Sequence, residues 1–269
     1  MELDEKLATL REILAKLESV VVAYSGGVDS TFLLWVALGT LGPERVLAVT
    51  GSSPIFSRRE LRAAEEMAHR MGAPHRFVPT GQLENEQFVL NPPRRCYLCK
   101  QEIFSRLAVV AREERLACVI EGSNLDDRGD YRPGAQAARE AGVHSPLEEA
   151  ELTKAEIRAL SRRAGLPTWD RQAQTCLATR FPHGTIITSE GLGQVEAAEE
   201  ILQELGFGDL RVRHHGPIAR IEVAPEEVAR LAQPEVAPRV VAGLKDLGYR
   251  CVTLDLEGYR RGNLKDLRI

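Results

Sequence analysis

At 269 residues, with 43% hydrophobic and 28% charged side chains, the chain has an ordinary globular composition and length for one large domain or two modest ones. A net charge of -4, from 39 acidic against 35 basic residues, argues against a protein built mainly to coat nucleic acid. No apolar run approaches the roughly 20 residues of a membrane-spanning helix, and the amphipathic start MELDEKLATLREIL lacks the pattern of a secretory signal, so a cytoplasmic protein with no membrane partner is expected.

Leu3, Leu7, Leu10, Ile13, Leu14 and Leu17 recur at helical spacing. Ser19 to Tyr24 is a β-branched run, predicting a strand that ends in a glycine-rich turn, with a helix over Ser30 to Leu38. A second strand is expected over Arg45 to Thr50, a helix over Ser57 to Met71 and a third strand over Pro74 to Val78. Lys100 to Glu113 reads as a helix, and Ala117 to Ile120 as a strand running into Gly122-Ser123-Asn124. This alternation predicts an α/β fold, a doubly wound and mostly parallel sheet. Such sheets bind ligands at the carboxyl ends of their strands, where loops 24–30, 50–56 and 121–132 would lie.

Leu152 to Ala164 is a further helix, opened by a capping box of Thr153 and Glu156. Periodicity disappears between Thr168 and Thr188, a Gly/Pro-containing stretch that holds Cys176 and has the character of a functional loop. Beyond it come a helix (Ser189 to Leu205), two strands (Leu210 to His214 and Ile218 to Val223), a helix (Val236 to Leu247) and a last strand (Arg250 to Leu256). The expected organisation is therefore two domains, 1–184 and a small α+β domain over 185–269.

The string Ser25-Gly26-Gly27-Val28-Asp29-Ser30 joins a strand to a helix. Backbone N–H groups and the positive helix end meet there, glycines let the backbone touch an anion, and the serine hydroxyls donate to it. Asp29 would repel phosphate unless Mg²⁺ or a backbone contact compensates. The run Glu121 to Asp127 follows a strand and should lie beside this loop, its carboxylates suited to Mg²⁺ and Asn124 to orienting a nucleotide. Asp130, Tyr131 and Arg132 continue toward the same edge. Gly122, Asn124, Asp127 and Arg132 are thus candidate nucleotide contacts.

Five cysteines, an odd number, read poorly as a disulfide framework. Cys96 and Cys99 form a CxxC that is half a zinc site, a redox dithiol or part of an iron–sulfur site. Cys118 and Cys251 lie in apolar runs and are expected to be buried core thiols. Arg211 and Arg213 alternate along a strand and point to one face, the arrangement of a phosphate grip. His214, His215 and Glu222 are expected to form a satisfied surface cluster. Trp169, near the Cys176 loop, either stacks on a ring or packs.

SGGVDS resembles the signature of the PP-loop ATP pyrophosphatases, which cut ATP to AMP and pyrophosphate while adenylating an acyl or amide oxygen. Together with RRCYLCK, EGSNLDDRGDYRPG, CLATRFPHGT, RVRHHGPIARIE and YRCVTLDLEGYRRG, the chain resembles the LarE-type sulfur transferases over essentially its whole length. That resemblance implies ATP, Mg²⁺ and a pyridinium-3,5-biscarboxylic acid mononucleotide as substrate, with thiocarboxylate formation on the way to the nickel-pincer nucleotide. It implies Cys176 as the sulfur-bearing catalytic residue, Arg180 beside it, and Arg211 and Arg213 as contacts to the substrate's phosphate. Positive charge from Arg171 and Arg180 would favour the thiolate. Cys96, Cys99 and Cys176 match the three-cysteine version of the family, associated with a 4Fe-4S cluster. A homo-oligomer is expected by analogy. Two competing readings, a PP-loop tRNA thiolase and a non-catalytic nucleotide-sensing module, account less well for the acidic balance and for a thiol in a polar loop.

Overall fold

Four consecutive apolar residues, Val20–Ala23, form a strand with no polar alternation, so both of its faces need cover. The computed structural model of the protein describes residues 2–128, 133–172 and 175–260. In chain order its elements are α1 (Leu3–Lys16), β1 (Val20–Ala23), α2 (Val28–Leu41), β2 (Val46–Ser52), α3 (Arg58–Arg70), β3 (His75–Pro79), α4 (Glu86–Val89) and α5 (Arg95–Glu113). These are followed by β4 (Cys118–Ile120), α6 (Pro133–Glu140), α7 (Pro146–Glu149), α8 (Lys154–Arg163), α9 (Ser189–Glu204), β5 (Leu210–His215), β6 (Ile218–Val223), α10 (Val228–Leu231), α11 (Ala237–Asp246) and β7 (Cys251–Leu254).

The chain divides into two compact units: Met1–Gln82 with Arg94–Gln174, and Leu83–Pro93 with Thr175–Ile269. The expected domain border lay between residues 184 and 185; here Thr175 to Gly184 goes with the second unit, as does an excursion from the first half of the sequence.

In the first unit the strands run parallel in the order β3-β2-β1-β4, the doubly wound sheet expected. Alternate residues of β1 serve opposite cores. Val20 and Val22 join Leu10 and Leu14 of α1, Phe32 and Leu33 of α2, Ala68 of α3 and Ile157 of α8. Val21 packs on the other face with Phe104 and Leu107 of α5 and with Ala137 and Ala138 of α6. Full burial of a side chain such as Phe32 or Leu33 contributes about 1.5–3 kcal/mol. Because β1 leads outward to β2 and β3 while β4 returns on its other side, the winding reverses between β1 and β4. The loops leaving those two strands flank the crevice where this class of sheet binds ligands.

The capping box that opens α8 is present: Glu156 N–H donates to Thr153 Oγ1 (3.3 Å), and Thr153 N–H donates to Glu156 Oε2 (2.8 Å). Helix α5 begins at Arg95 rather than Lys100, which puts the CxxC in its first turns. The four-residue helices α4, α7 and α10 are too short to show a period in sequence.

The second unit builds a three-stranded sheet, β5-β6-β7, with β5 and β6 antiparallel and β7 parallel to β6. Leu210, Val212, Ala219, Ile221 and Val223 bury one face with Ala198 and Leu202 of α9 and Leu244 of α11. The excursion is stitched in by Asn91, whose Nδ2 donates to the carbonyls of Phe181 (3.2 Å) and Pro182 (2.7 Å). Gly184 N–H returns a bond to Asn91 O (3.0 Å), and Ile187 N–H donates to Val89 O (2.9 Å). Cys251 is exposed on the edge strand β7 and Cys118 is half-buried, so neither is the fully buried thiol expected. An edge strand has no neighbour to cover its outer residues. No helix among the described residues is long and apolar enough to cross a membrane.

Candidate active site

The phosphate loop sits at the reversal point of the sheet. Helix α2 starts after Gly27 with no side-chain cap, leaving its first-turn N–H groups for a ligand. Ser25 and Ser30 are brought together, their hydroxyl oxygens 3.1 Å apart, and Ser25 N–H donates to Ser30 Oγ (3.3 Å). Gly26 has φ +70°, and a Cβ there would fall 2.9 Å from Ala64 Cα on α3. Gly122, leaving β4, is equally confined: a Cβ would lie 3.1 Å from Ser30 N. The loops after β1 and β4 thus meet backbone to backbone, as the sequence placed them.

Asp29, in the first turn of α2, faces into this junction. Its Oδ2 is ion-paired with Lys154 of α8, and its buried Oδ1 accepts from no other residue. Burial pushes the carboxyl up, Lys154 pulls it down, and the Asp127 charge pushes it up again, with a net rise. An orphaned buried carboxylate oxygen beside a phosphate loop fits a hard divalent cation, which takes oxygen ligands.

Asn124 and Asp127 are engaged in their own turn: Asp126 N–H donates to Asn124 Oδ1 (3.1 Å) and Asn124 N–H to Asp127 Oδ2 (3.0 Å). This reciprocal cap shapes the loop beside Gly122. Asp130, Tyr131 and Arg132 lie outside the described residues.

Two basic residues of α8 escaped the sequence reading. Lys154 reaches Asp29, while its backbone N–H donates to Asp126 Oδ2 (2.9 Å). Arg158 donates to the carbonyls of Trp169 (3.0 Å) and Arg171 (3.0 Å), and Arg171 Nη1 in turn donates to Gly26 O (3.0 Å). Arg171, expected to serve the thiol, therefore braces the phosphate loop. Trp169 stacks under Arg162, 5.0 Å from its ring centre. The one signal for α8 was its capping box, which fixes where the helix begins but not what it reaches.

Cys96 is exposed and Cys99 half-buried on α5, three residues apart and so on neighbouring positions of one helix face. The buried Gln82 directs its amide nitrogen at Cys99 Sγ (3.8 Å). None of the five cysteines is in a disulfide. Among the described residues, no group of three or more His, Cys, Asp or Glu side chains is gathered to hold a metal.

In the second unit Cys176 caps the short 3₁₀ turn Leu177–Arg180 and is half-buried. Its carbonyl accepts from Thr179 Oγ1 (2.8 Å) and Arg180 Nη1 (3.1 Å). Arg180 also grips Thr175 O (2.7 Å) and forks onto Glu199, Nε to Oε1 at 2.8 Å and Nη2 to Oε2 at 2.9 Å. It thereby ties the cysteine turn to α9.

Arg211 and Arg213 are both buried on β5. Arg213 donates to Glu222 Oε2 (3.0 and 2.7 Å) and to Thr179 O (3.1 Å), and Arg220 donates to Glu222 Oε1 (2.8 Å). Arg211 lies over the Tyr259 ring (4.8 Å), its pKa lowered by burial and then by the Arg180 charge. Glu222 is fully buried, which corrects the surface cluster expected for it. His214 packs against Phe181 and Tyr249, with ring centres 4.7 and 5.7 Å away, and burial lowers the pKa of both His214 and His215. Removing Glu222 would take from Arg213 the carboxylate it is paired with and leave Arg220 only the longer contact to Asp255. Glu222→Ala is expected to destabilise the second unit by about 3–5 kcal/mol, read from urea unfolding, with Glu222→Gln intermediate.

A phosphate loop at the reversal point of a parallel four-stranded sheet defines a nucleotide-binding α/β protein of the PP-loop class. Residues 3–88 match the NAD synthase family. An uncharacterised protein of Synechocystis sp. is 42% identical over 262 residues, covering 97% of each chain. The pyridinium-3,5-bisthiocarboxylic acid mononucleotide synthase of Lactiplantibacillus plantarum is 41% identical over 262 residues, covering 97% of this chain and 94% of the relative. The NH(3)-dependent NAD(+) synthetase of Chlorobaculum tepidum is 27% identical over 154 residues, 55% of this chain and 54% of its own. The chain belongs to the LarE-type family of ATP-dependent sulfur transferases, within the PP-loop superfamily.

Proposed function

We propose that the protein adenylates a carboxylate of a pyridinium-3,5-biscarboxylic acid mononucleotide and converts it to a thiocarboxylate, for synthesis of the nickel-pincer nucleotide. The observation that carries this reading is an uncapped phosphate loop in a chain that also holds Cys176 on an arginine-braced turn, at 41% identity to the Lactiplantibacillus synthase.

The substrate carboxylate attacks the α-phosphorus of ATP and pyrophosphate leaves. The Ser25, Gly26, Gly27 and Ser30 loop holds the phosphates. Asp29 would hold Mg²⁺, which would neutralise charge on the departing pyrophosphate. Gly122 keeps the second loop close, and the reciprocal cap of Asn124 and Asp127 shapes it for the nucleotide. Four guanidiniums, Arg180, Arg211, Arg213 and Arg220, face three carboxylates, Glu199, Glu222 and Asp255. The family resemblance assigns Arg211 and Arg213 to the substrate's phosphate, which guanidinium groups grip in bidentate fashion.

The Cys176 thiolate then attacks the acyl carbon, AMP leaves, and a thioester forms. Loss of the Cys176 Cα proton with cleavage of its Cβ–S bond releases the thiocarboxylate and leaves dehydroalanine. A second sulfur source is favoured by the Cys96 and Cys99 pair with the Gln82 amide aimed at sulfur, a donor set whose softness suits iron. The resemblance to the three-cysteine version of the family implies that with Cys176 these thiols would hold a 4Fe-4S cluster, which would supply sulfide and spare the cysteine.

Intact-protein mass of anaerobically purified enzyme, before and after reaction, tests this reading. Loss of about 34 Da at Cys176 marks the sacrificed thiol. Product with no mass change marks cluster-borne sulfide. Absence of thiocarboxylate under both conditions would sink the proposal. A milder effect is expected from Arg158→Ala, which frees the segment bracing Gly26. ATP affinity should fall about tenfold by calorimetry, or ~1.4 kcal/mol.

A further inference from the structure

We propose that Lys154 is a phosphate-binding residue that occupies Asp29 in place of the metal until ATP arrives. The inference rests on the ATP–Mg²⁺ reading of the loop and assigns it a gate.

Asp29 has two oxygens in different states. Oδ2 is paired with the Lys154 ammonium, and Oδ1 is buried with no other residue donating to it. A divalent cation arriving at Oδ1 would meet a positive charge already seated on the same carboxylate, and like charges so close repel strongly. Without nucleotide the lysine wins, because it is delivered by a fixed element. Its backbone N–H is bonded to Asp126 Oδ2, and the Thr153–Glu156 cap fixes the start of α8.

A triphosphate in the loop changes the balance. It offers the ammonium a more anionic partner on a long flexible stem, and it brings its own charge to the metal. Lys154 moves to phosphate and Asp29 passes to Mg²⁺. Cation and nucleotide thus bind together, and by linkage each strengthens the other. The side chain of Lys154 is about one-third exposed, 32%, enough to change partners without unpacking a core.

Mn²⁺ is the probe, followed by electron paramagnetic resonance with and without a non-hydrolysable ATP analogue. Lys154→Met is expected to bind Mn²⁺ about tenfold more tightly than wild type when nucleotide is absent, and metal-free analogue about tenfold more weakly. Lys154→Arg should restore wild-type behaviour in both assays. Adding Asp29→Asn should erase the gain in Mn²⁺ affinity. If Lys154→Met does not fold by circular dichroism, Lys154→Gln takes its place. Unchanged Mn²⁺ affinity in the nucleotide-free variant overturns the gate. Failure of wild type to bind the analogue at all instead overturns the ATP reading beneath it.

Discussion

Cys176→Ala is expected to abolish thiocarboxylate formation completely while substrate-dependent release of pyrophosphate from ATP continues. The two halves of the reaction use different chemistry. In the proposed mechanism adenylation draws on the phosphate loop of the first unit, and the thiol enters only after AMP has become a leaving group. Alanine keeps the backbone carbonyl that anchors the turn to Thr179 and Arg180, so the substitution should leave the local fold in place. Serine in its place supplies a hydroxyl with no sulfur to transfer and should be equally inactive. Product analysis by mass spectrometry, beside a pyrophosphate assay, separates the steps. Loss of both activities would show that the cysteine supports ATP activation rather than sulfur delivery. Cys251→Ala, on the exposed edge of the second sheet, is the control and should retain activity.

Gly26→Val should be nearly as damaging, by a different route. Gly26 adopts a left-handed conformation that costs a non-glycine residue about 1–2 kcal/mol. A Cβ there would also press to 2.9 Å on the Ala64 backbone, which lies on the buried face of α3 and cannot retreat cheaply. The loop must therefore shift, and its N–H groups with it. ATP affinity is expected to fall about 100-fold or more, with helix content unchanged by circular dichroism. Gly27 offers the comparison. Its Cβ would meet only Ser25 Oγ at 3.4 Å, with no positive φ, so Gly27→Ala should cost far less. Equal losses at both positions would argue that the loop rejects any side chain for reasons other than Ala64.

The alternation of apolar strands and amphipathic helices was enough to foresee the parallel sheet, because in such folds pattern and topology are linked by short crossovers. The loop between β1 and α2 was equally plain, since its glycines and serines stand side by side in sequence. What escaped was contact between distant segments. Nothing around Lys154 marks it as the partner of Asp29, and Arg171 braces a carbonyl 145 residues away. Burial of charge was also misjudged. Glu222, expected in a surface cluster, is fully buried against Arg213. Cys251 misled in the opposite sense, because an apolar run does not say whether its strand is central or at an edge. The start of α5 was missed because Pro92, Pro93 and the charged Arg94 and Arg95 hide a helical onset that packing of Leu98 and Phe104 makes worthwhile.

The stitching of Asn91 onto the segment around Phe181 and Pro182 bears on how the chain is made and how it can be divided. As the polypeptide leaves the ribosome, Leu83–Pro93 emerges long before the residues it pairs with, and must wait while the rest of the first unit is synthesised. A gene fragment starting at Thr175 would lack those partners, leaving the Gly184 and Ile187 amides to water. Each unit is assembled from two stretches of the gene, so recombination at a single crossover cannot exchange either one whole.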